Sequence, residues 1–568
     1  MRWVESGDVR LALFEDGDPA HPTVLLLHGY PDTHRVWDEV AGLLRDRFHV
    51  VRYDVRGAGE STAPRDRRAY AFDDLIADLG AVLDAVGKPR VHLVGHDWGS
   101  LQGWEAIGRP DVRARIASFT SFGGPGPRQI GHFFMYGRPG EIARQRARAF
   151  YIGAFQLPVL PELAWRSIMP RLVSRMLRLG EGVQLRPGHP APTLAEDGRN
   201  GLWLYRRNNP FGESGLDPRV DVPVQLIEPT RDPFVSPALL DSLAMWVPVL
   251  WRRKVAAGHW AQRSRPEAVA GMIAEFAAHV DGAPAGRGLR RARADEERKA
   301  FGDRLVVVTG AGSGIGLATA RAFAAHGAEV VCADLDPDAA ARAAGGIVKE
   351  LGGTAHAAQV DVGKLDQMED FSRNIILQYG VPDIVVNNAG IAVVGSFLDH
   401  TVDDWRATLD VNLWGIIHGC RLFGAAMVER GEGGHIVNVA SLAAFAPSRL
   451  LPAYSVSKAA VKMLSDCLRA ELAGQGIGVS VICPGFVSTA IAGNSTYVGG
   501  DLRERAVRGL AGRGYPPERV AAHILRAVHR NQAVVPVNLE GKIGYALSRI
   551  SPAAMRRVAR WAGPVRNP

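Results

Sequence analysis

Short apolar runs alternate along this chain with longer stretches whose apolar positions recur at helical spacing. Residues 23–27, 91–94 and 222–227, and later 305–308, 329–333, 384–386, 435–439 and 479–482, have the length and aliphatic content of buried strands. Strands separated by amphipathic helices predict an α/β fold whose parallel sheets are covered on both faces. The alternation starts twice in the same manner, with 23–27 running into His28-Gly29 and 305–308 into Thr309-Gly310. Between these starts, residues 281–304 are rich in glycine, alanine and charge, which predicts a linker. Residues 125–215 interrupt the first alternation with proline, arginine and aromatics, and predict an insert of helices and loops. The expected organisation is a domain over 1–280, a linker at 281–303, a domain over 304–539 and a tail at 540–568.

The 568 residues are 47% apolar and 22% charged, which excludes a disordered or fibrous chain. No uninterrupted apolar run reaches the ~18 residues of a membrane-spanning helix, and the N-terminus lacks the apolar core of a signal peptide. Cys332, Cys420, Cys467 and Cys483 show no paired spacing, so neither disulfides nor a metal site is expected. A reduced, cytoplasmic enzyme is the expectation. Of the net charge of +8, residues 1–280 carry +3, 281–304 +2, 305–539 −2 and 540–568 +5. Near-neutral bodies without a basic stripe or a reading motif predict no nucleic-acid partner.

Residues 91–94 lead directly into Gly95-His96-Asp97-Trp98-Gly99. A G-x-nucleophile-x-G turn between strand and helix cramps the backbone at its centre and holds that side chain above the sheet, near a helix N-terminus. The central residue is an aspartate, which attacks carbon centres bearing a leaving group and forms an alkyl ester. The competing reading is a cap on the following helix. Three elements favour the nucleophile: His28-Gly29-Tyr30-Pro31, where such turns place an oxyanion donor, Asp232 just past 222–227, and His259 in Gly258-His259-Trp260. Nucleophile, acid and histidine occur in the order of a triad.

These residues resemble the α/β-hydrolase fold with a helical lid, and specifically the epoxide hydrolases, although HGYP and GHDWG are shared with haloalkane dehalogenases. Epoxide hydrolases carry two lid tyrosines. Tyr151 in Tyr151-Ile152-Gly153-Ala154-Phe155-Gln156 matches the first, and Tyr205 in Trp203-Leu204-Tyr205-Arg206 matches the second loosely. Core packing is the competing role for both. The resemblance implies that Asp97 opens the ring while Tyr151 and Tyr205 donate to the alkoxide. Asp232 and His259 then activate water, with the backbone N–H groups of Tyr30 and Trp98 as the oxyanion hole. A dehalogenase is the alternative.

In the second half, 305–308 leads into Thr309-Gly310-Ala311-Gly312-Ser313-Gly314-Ile315-Gly316, a strand–turn–helix glycine pattern that admits a pyrophosphate to backbone N–H groups. Asp334 ends the next strand, where a carboxylate accepts from ribose hydroxyls and repels a 2′-phosphate, predicting NAD(H) over NADP(H). Tyr454 and Lys458 lie one helical turn apart, so that the ammonium is expected to lower the phenol's pKa for acid/base work. The competing reading is a surface pair. Ser441, thirteen residues earlier, is placed to hold a carbonyl oxygen.

This half resembles the short-chain dehydrogenase/reductases, with a Rossmann-type doubly wound parallel sheet. The resemblance implies that Asp361-Val362 contacts adenine and that Asn388-Ala389-Gly390 supports the cofactor. It further implies that Asn412 holds a proton-relay water, and that Pro484-Gly485, Val487 and Thr489 lie at the nicotinamide. A homo-oligomer built on this domain is implied as well. The two halves together resemble the actinobacterial epoxide hydrolase D group, bifunctional proteins associated with lipid metabolism, which implies lipid-like epoxide and alcohol or ketone substrates. One domain serving as a scaffold is the non-catalytic alternative. The basic, amphipathic tail leaves two readings open, contact with an anionic inner membrane face or packing on the reductase body.

Overall fold

Period-2 alternation inside the aliphatic runs decides where each side chain goes. Leu25 and Leu27 join one core while Val24 and Leu26 join the core on the other face. In the computed structural model, which describes residues 1–208, 220–295, 297–488, 495–498 and 514–561, these strands belong to two units, Met1–Glu296 and Glu297–Pro568.

The first unit holds β1 (Arg2–Ser6), β2 (Val9–Asp16), β3 (Thr23–Leu27), β4 (His49–Tyr53), β5 (Val91–His96), β6 (Ile116–Phe122), β7 (Val224–Pro229) and β8 (Leu250–Val255). They form one sheet in the order β1-β2-β4-β3-β5-β6-β7-β8, parallel except at β1–β2 and β2–β4. Six described helices fill the insert between β6 and β7: Pro127–Tyr136, Pro139–Arg148, Phe150–Phe155, Leu160–Ser167, Met169–Leu179 and Leu194–Arg207.

The second unit holds β9 (Leu305–Thr309), β10 (Glu329–Asp334), β11 (Ala355–Gln359), β12 (Ile384–Asn387), β13 (Val393–Val394), β14 (Gly434–Val439), β15 (Ile477–Cys483), β16 (Thr496–Tyr497) and β17 (Val534–Pro536). Seven of them make a parallel sheet in the order β11-β10-β9-β12-β14-β15-β17, and β13 pairs with β16. Val306 and Val308 face one core, Leu305 and Val307 the other. Both units therefore have the expected α/β architecture, a hydrolase-type sheet with a helical lid and a doubly wound parallel sheet. The helical stretch Val402–Arg430 contains an 18-residue window apolar enough to cross a membrane, but half of that window is buried inside this unit.

The segment expected as a linker contains the boundary between the two units and carries apolar anchors of its own. Arg287–Ala292 is a helix whose Leu289 and Ala292 are buried with Trp251 and Phe276, and the Arg293 guanidinium lies 4.5 Å from the Trp251 ring centroid. Further on, Phe301 is buried against Phe323. A few apolar side chains among many charges are enough to anchor the backbone. In the tail, helices Leu539–Ile550 and Pro552–Trp561 bury Gly541, Gly544 and Met555, and Tyr545 packs 5.0 Å from Phe445. Leu539, Ile543 and Ile550 remain exposed.

Candidate active sites

β3 and β5 pair with Leu27 opposite Gly95, which brings the turns that follow them, His28-Gly29-Tyr30 and Asp97, to the same end of the sheet. The turn closes only because Gly99 lacks a side chain: a Cβ there would lie 2.5 Å from the Leu27 carbonyl oxygen. Asp97 itself has φ 51° and ψ −120°, a strained backbone for a residue with a Cβ. Its side chain makes no capping hydrogen bond to helix Trp98–Gly108; Oδ1 accepts the Tyr30 N–H at 2.8 Å. His259 Nε2 is 3.6 Å from Asp97 Oδ2, and its Nδ1 is 2.9 Å from Asp232 Oδ2. Asp232 Oδ1 accepts the N–H groups of Phe234 and Val235 at 2.7 and 3.0 Å, so this acid is fixed from both sides.

Burial alone would raise the Asp232 carboxyl, but His259 and the two N–H donors hold it below the usual carboxylate range. Burial likewise pulls His259 down, and Asp232 and Asp97 outweigh it, leaving the imidazole well above its ordinary pKa. His96, 4.7 Å away between ring centroids, is pushed down to about 4 by burial and then by His259, and stays neutral.

The lid brings Tyr151 from Phe150–Phe155 and Tyr205 from Leu194–Arg207 to within 6.1 Å of each other, ring to ring. Together with Asp97, Trp98 and Phe234 they line a cavity of about 80 Å³. Burial and then the Asp97 charge push the Tyr151 phenol up; burial, Tyr151 and Asp97 push up Tyr205. Both phenols are thus donors, not phenolates, at neutral pH. The last residue of each motif clamps the pair: Gln156 Nε2 donates to the Tyr205 carbonyl and Arg206 Nε to the Phe155 carbonyl, both at 2.9 Å.

In the second unit the parallel register assembles the site. β12 pairs with β9 and β14, which places Asn388 beside Thr309, and β14 pairs with β15, which places Ser441 beside Pro484. Asn388 Nδ2 donates to the carbonyls of Thr309 and Gly310 at 3.0 and 3.2 Å, tying the glycine turn to the Asn388-Ala389-Gly390 turn. Gly312 N–H donates to Asp334 Oδ2 at 2.8 Å, and a Cβ on Gly312 would lie 2.6 Å from that of Ala339. Asn412, fully buried in the π-helical turn Asp410–Trp414, accepts from Ile391 N–H at 2.8 Å and donates to the Ile391 carbonyl and Ser457 Oγ. A cavity of about 410 Å³ runs from Gly310, Ser313, Gly314 and Ile315 past Asp334, Asp361 and Val362 to Ser441, Tyr454, Lys458, Pro484, Gly485 and Val487. Its shape, with glycine at one end and a Ser-Tyr-Lys set at the other, fits a dinucleotide.

One expectation is corrected here. Lys458 does not meet the phenol oxygen: its Nζ donates to the Val439 carbonyl at 2.9 Å and sits 5.5 Å from the Tyr454 ring centroid. Burial pushes Tyr454 up, and the group that opposes it is the Ser441 hydroxyl. Burial also pushes Lys458 down to about 8. Thr489 lies outside the described residues.

A short chain dehydrogenase family model matches residues 304–497, and an alpha/beta hydrolase fold model matches residues 22–266. "Probable oxidoreductase EphD" of Mycobacterium tuberculosis is 41% identical over 583 residues, spanning 98% of each chain. This chain belongs to the EphD family. Its two halves are accordingly a hydrolase-fold enzyme domain and a short-chain dehydrogenase domain, and the latter makes the protein NAD(P)-dependent. Within the EphD-like second half, the ketoacyl reductase HetN of Nostoc is 34% identical over 268 residues, covering 46% of this chain and 90% of its own. Among solved structures, a Burkholderia phymatum short-chain dehydrogenase with NAD is 27% identical, with TM-score 0.42, over 47% of this chain and 98% of its own. A Bacillus megaterium epoxide hydrolase with an inhibitor is 22% identical, with TM-score 0.43, over 49% of this chain and 100% of its own.

Two residues of this EphD-family chain escaped the sequence reading. Glu181, buried after helix Met169–Leu179, accepts the Trp260 N–H at 3.2 Å, and burial raises its carboxyl. Asn538 Oδ1 accepts the Gly485 N–H at 2.8 Å. Neither sits in a motif, and only the fold brings them to the sites.

Proposed function

We propose that the first half hydrolyses epoxides to vicinal diols through an aspartyl ester. The observation that carries this reading is an Asp97 carboxylate on a strained backbone, not used as a helix cap, sharing one small cavity with the protonated phenols of a buried Tyr205 and a half-buried Tyr151. Asp97 attacks a ring carbon, the carbon–oxygen bond breaks, and the departing alkoxide takes hydrogen bonds and a proton from Tyr151 and Tyr205. Water then adds to the ester carbonyl while His259, oriented by Asp232, takes its proton. The N–H groups of Tyr30 and Trp98 hold the oxyanion until it collapses; His259 then gives a proton to the departing diol oxygen and takes one from the new carboxyl, which restores the Asp97 carboxylate and the imidazolium. Formation of the ester removes the Asp97 charge that helps keep His259 protonated, so the imidazolium gives up a proton that restores the tyrosinate to tyrosine, and the ring becomes a base when one is needed. Paired lid tyrosines favour an epoxide over a halide leaving group.

The second half is proposed to interconvert a hydroxyl and a carbonyl on a lipid-like substrate, with NAD(H) preferred because the Asp334 carboxylate stands where a 2′-phosphate would sit. Bound cofactor supplies the hydride exchange. Ser441 holds the substrate oxygen and Tyr454 moves its proton, while Lys458 and Asn412 connect that proton to the buried side of the site. Assembly through this half into a homo-oligomer is part of the same reading.

The deciding assay follows a long-chain fatty epoxide by mass spectrometry with and without NAD, in the parent enzyme, Asp97→Ala and Tyr454→Phe. Diol without NAD, lost only in Asp97→Ala, supports the hydrolase; conversion of diol to hydroxyketone with NAD, lost only in Tyr454→Phe, supports a linked reductase. Full diol formation by Asp97→Ala would sink the aspartyl-ester reading.

A further inference from the structure

The near-neutral total of residues 1–280 conceals a separation of charge. Residues 127–180, which include five of the six described lid helices, hold nine arginines and no lysine against Glu141 and Glu162, a local net charge of +7. Eight of those arginines are exposed. The same stretch exposes large apolar side chains. On Met169–Leu179, Leu172 and Leu179 share an outward stripe with Ile168 and Arg175, while Val173 and Leu177 face inward. Upstream, Leu157-Pro158-Val159-Leu160 is exposed at every position, with Val159 at 61% and Leu160 at 63%. Val159 adopts φ 68°, a conformation that β-branched residues rarely take.

A water-facing surface gains nothing from large aliphatic side chains set among guanidinium groups. A bilayer with anionic headgroups accommodates both, since arginines meet phosphates while aliphatic side chains enter the acyl boundary. Face-to-face docking of a second copy would instead oppose +7 to +7 across a symmetric contact.

We infer that the lid docks on an anionic lipid bilayer. The loop that enters the membrane is tied to the hydrolase site. Arg206 Nη2 donates to the Leu157 carbonyl at 2.8 Å, its Nη1 pairs with Glu162 at 2.6 Å, and Tyr205 is its neighbour in sequence. An apolar substrate dissolved in the bilayer then meets the lid wall that carries Tyr151 and Tyr205. That last point rests on the hydrolase reading; the docking does not.

The test is sedimentation of the full chain with vesicles of phosphatidylglycerol and phosphatidylcholine, or of phosphatidylcholine alone. Binding is expected only to the anionic vesicles and is lost at about 0.5 M salt. It weakens at least about tenfold in the triple variant R171E/R175E/R178E and in L157S/L160S/L172S, whereas the tail variant R549E/R556E/R557E binds like the parent. An unchanged circular dichroism melting curve separates lost docking from lost folding without recourse to hydrolase activity. The inference falls if the parent ignores anionic vesicles, if both lid variants bind normally, or if only the tail variant loses binding. A parent oligomer that the lid variants dissociate, seen by analytical ultracentrifugation, would assign the surface to a second copy and overturn it as well.

Discussion

His259 Nε2 stands 3.6 Å from the Asp97 carboxylate, an unlike-charge pair in which the histidine is buried and the aspartate half-buried. A histidine that cannot shed this partner stays protonated, and in the proposed reaction esterification of Asp97 is the event that frees it. The expected phenotype of His259→Gln is one turnover without release. Intact-protein mass spectrometry should show an increment equal to the mass of the epoxide, with steady-state diol formation down by at least about 10³-fold. A variant that turns over with no increment would take His259 out of the second step.

Tyr151 and Tyr205 line the same cavity as Asp97, with their rings 6.1 Å apart, and in the proposed reaction both donate to the leaving oxygen. Losing one of two donors to a developing oxyanion costs roughly 10²–10³ in rate. Tyr151→Phe and Tyr205→Phe should each lower kcat by about that factor with little change in KM, and the double variant should lose measurable ring opening. Equal kcat in either single variant would return that tyrosine to core packing.

On the reductase side, the group that offsets the burial of Tyr454 is Ser441 rather than Lys458. Tyr454→Phe is expected to bind NADH with unchanged affinity, read by fluorescence titration, while hydride transfer falls at least about 10²-fold. Ser441→Ala should shift the alkaline limb of the pH–rate profile upward, because the phenol loses the hydrogen bond that counters its burial. An unmoved limb would assign that titration elsewhere.

Asp334 Oδ2 already receives Gly312 N–H, so the carboxylate is fixed at the mouth of the glycine turn. Replacing it with alanine removes the charge that the NAD(H) reading sets against a 2′-phosphate. The ratio of kcat/KM for NADP over NAD should rise at least about tenfold, and a ratio that stays constant would locate cofactor choice in other residues.

His435, whose Nε2 lies 2.8 Å from Ser480 Oγ, is pushed down to about 4 by burial first and then by the Arg469 and Arg304 charges, against an ordinary 6.5. The unfolded chain therefore binds a proton between those values that the folded imidazole refuses. Stability is complete above pH 6.5 and declines by about 3 kcal/mol as pH falls to 4, after which this group contributes no further loss. Hydrogen exchange of β14 and β15 amides across that range should show the decline in the parent and a flatter dependence in His435→Gln.

How much of this was readable beforehand depends on distance along the chain. The turns around Asp97 and Gly310 and the Tyr454–Lys458 helix are local patterns, in which strand, glycine and helix follow within a dozen residues. Their register neighbours, such as Leu27 opposite Gly95, follow once the sheet is parallel. The contact from Glu181 to Trp260 spans 79 positions, and that from Asn538 to Gly485 spans 53; no periodicity foretells either. Composition was also silent on the anchors within 281–303, because a segment's average polarity hides the few buried side chains, Leu289, Ala292 and Phe301, that hold it. The Tyr454–Lys458 expectation placed two residues on one helix face correctly. It did not anticipate that the Val439 carbonyl would take the ammonium, since that acceptor comes from a different strand.

One oxygen of Asn538 receives both the Gly485 N–H and, at 3.3 Å, the Gly541 N–H at the start of a terminal helix. The chain's final helices are therefore not an appendage that can be trimmed when the gene is divided for separate expression. A stop codon placed ahead of position 538 would leave the Pro484-Gly485 turn without its acceptor, so a separately expressed dehydrogenase half should run on past Gly541.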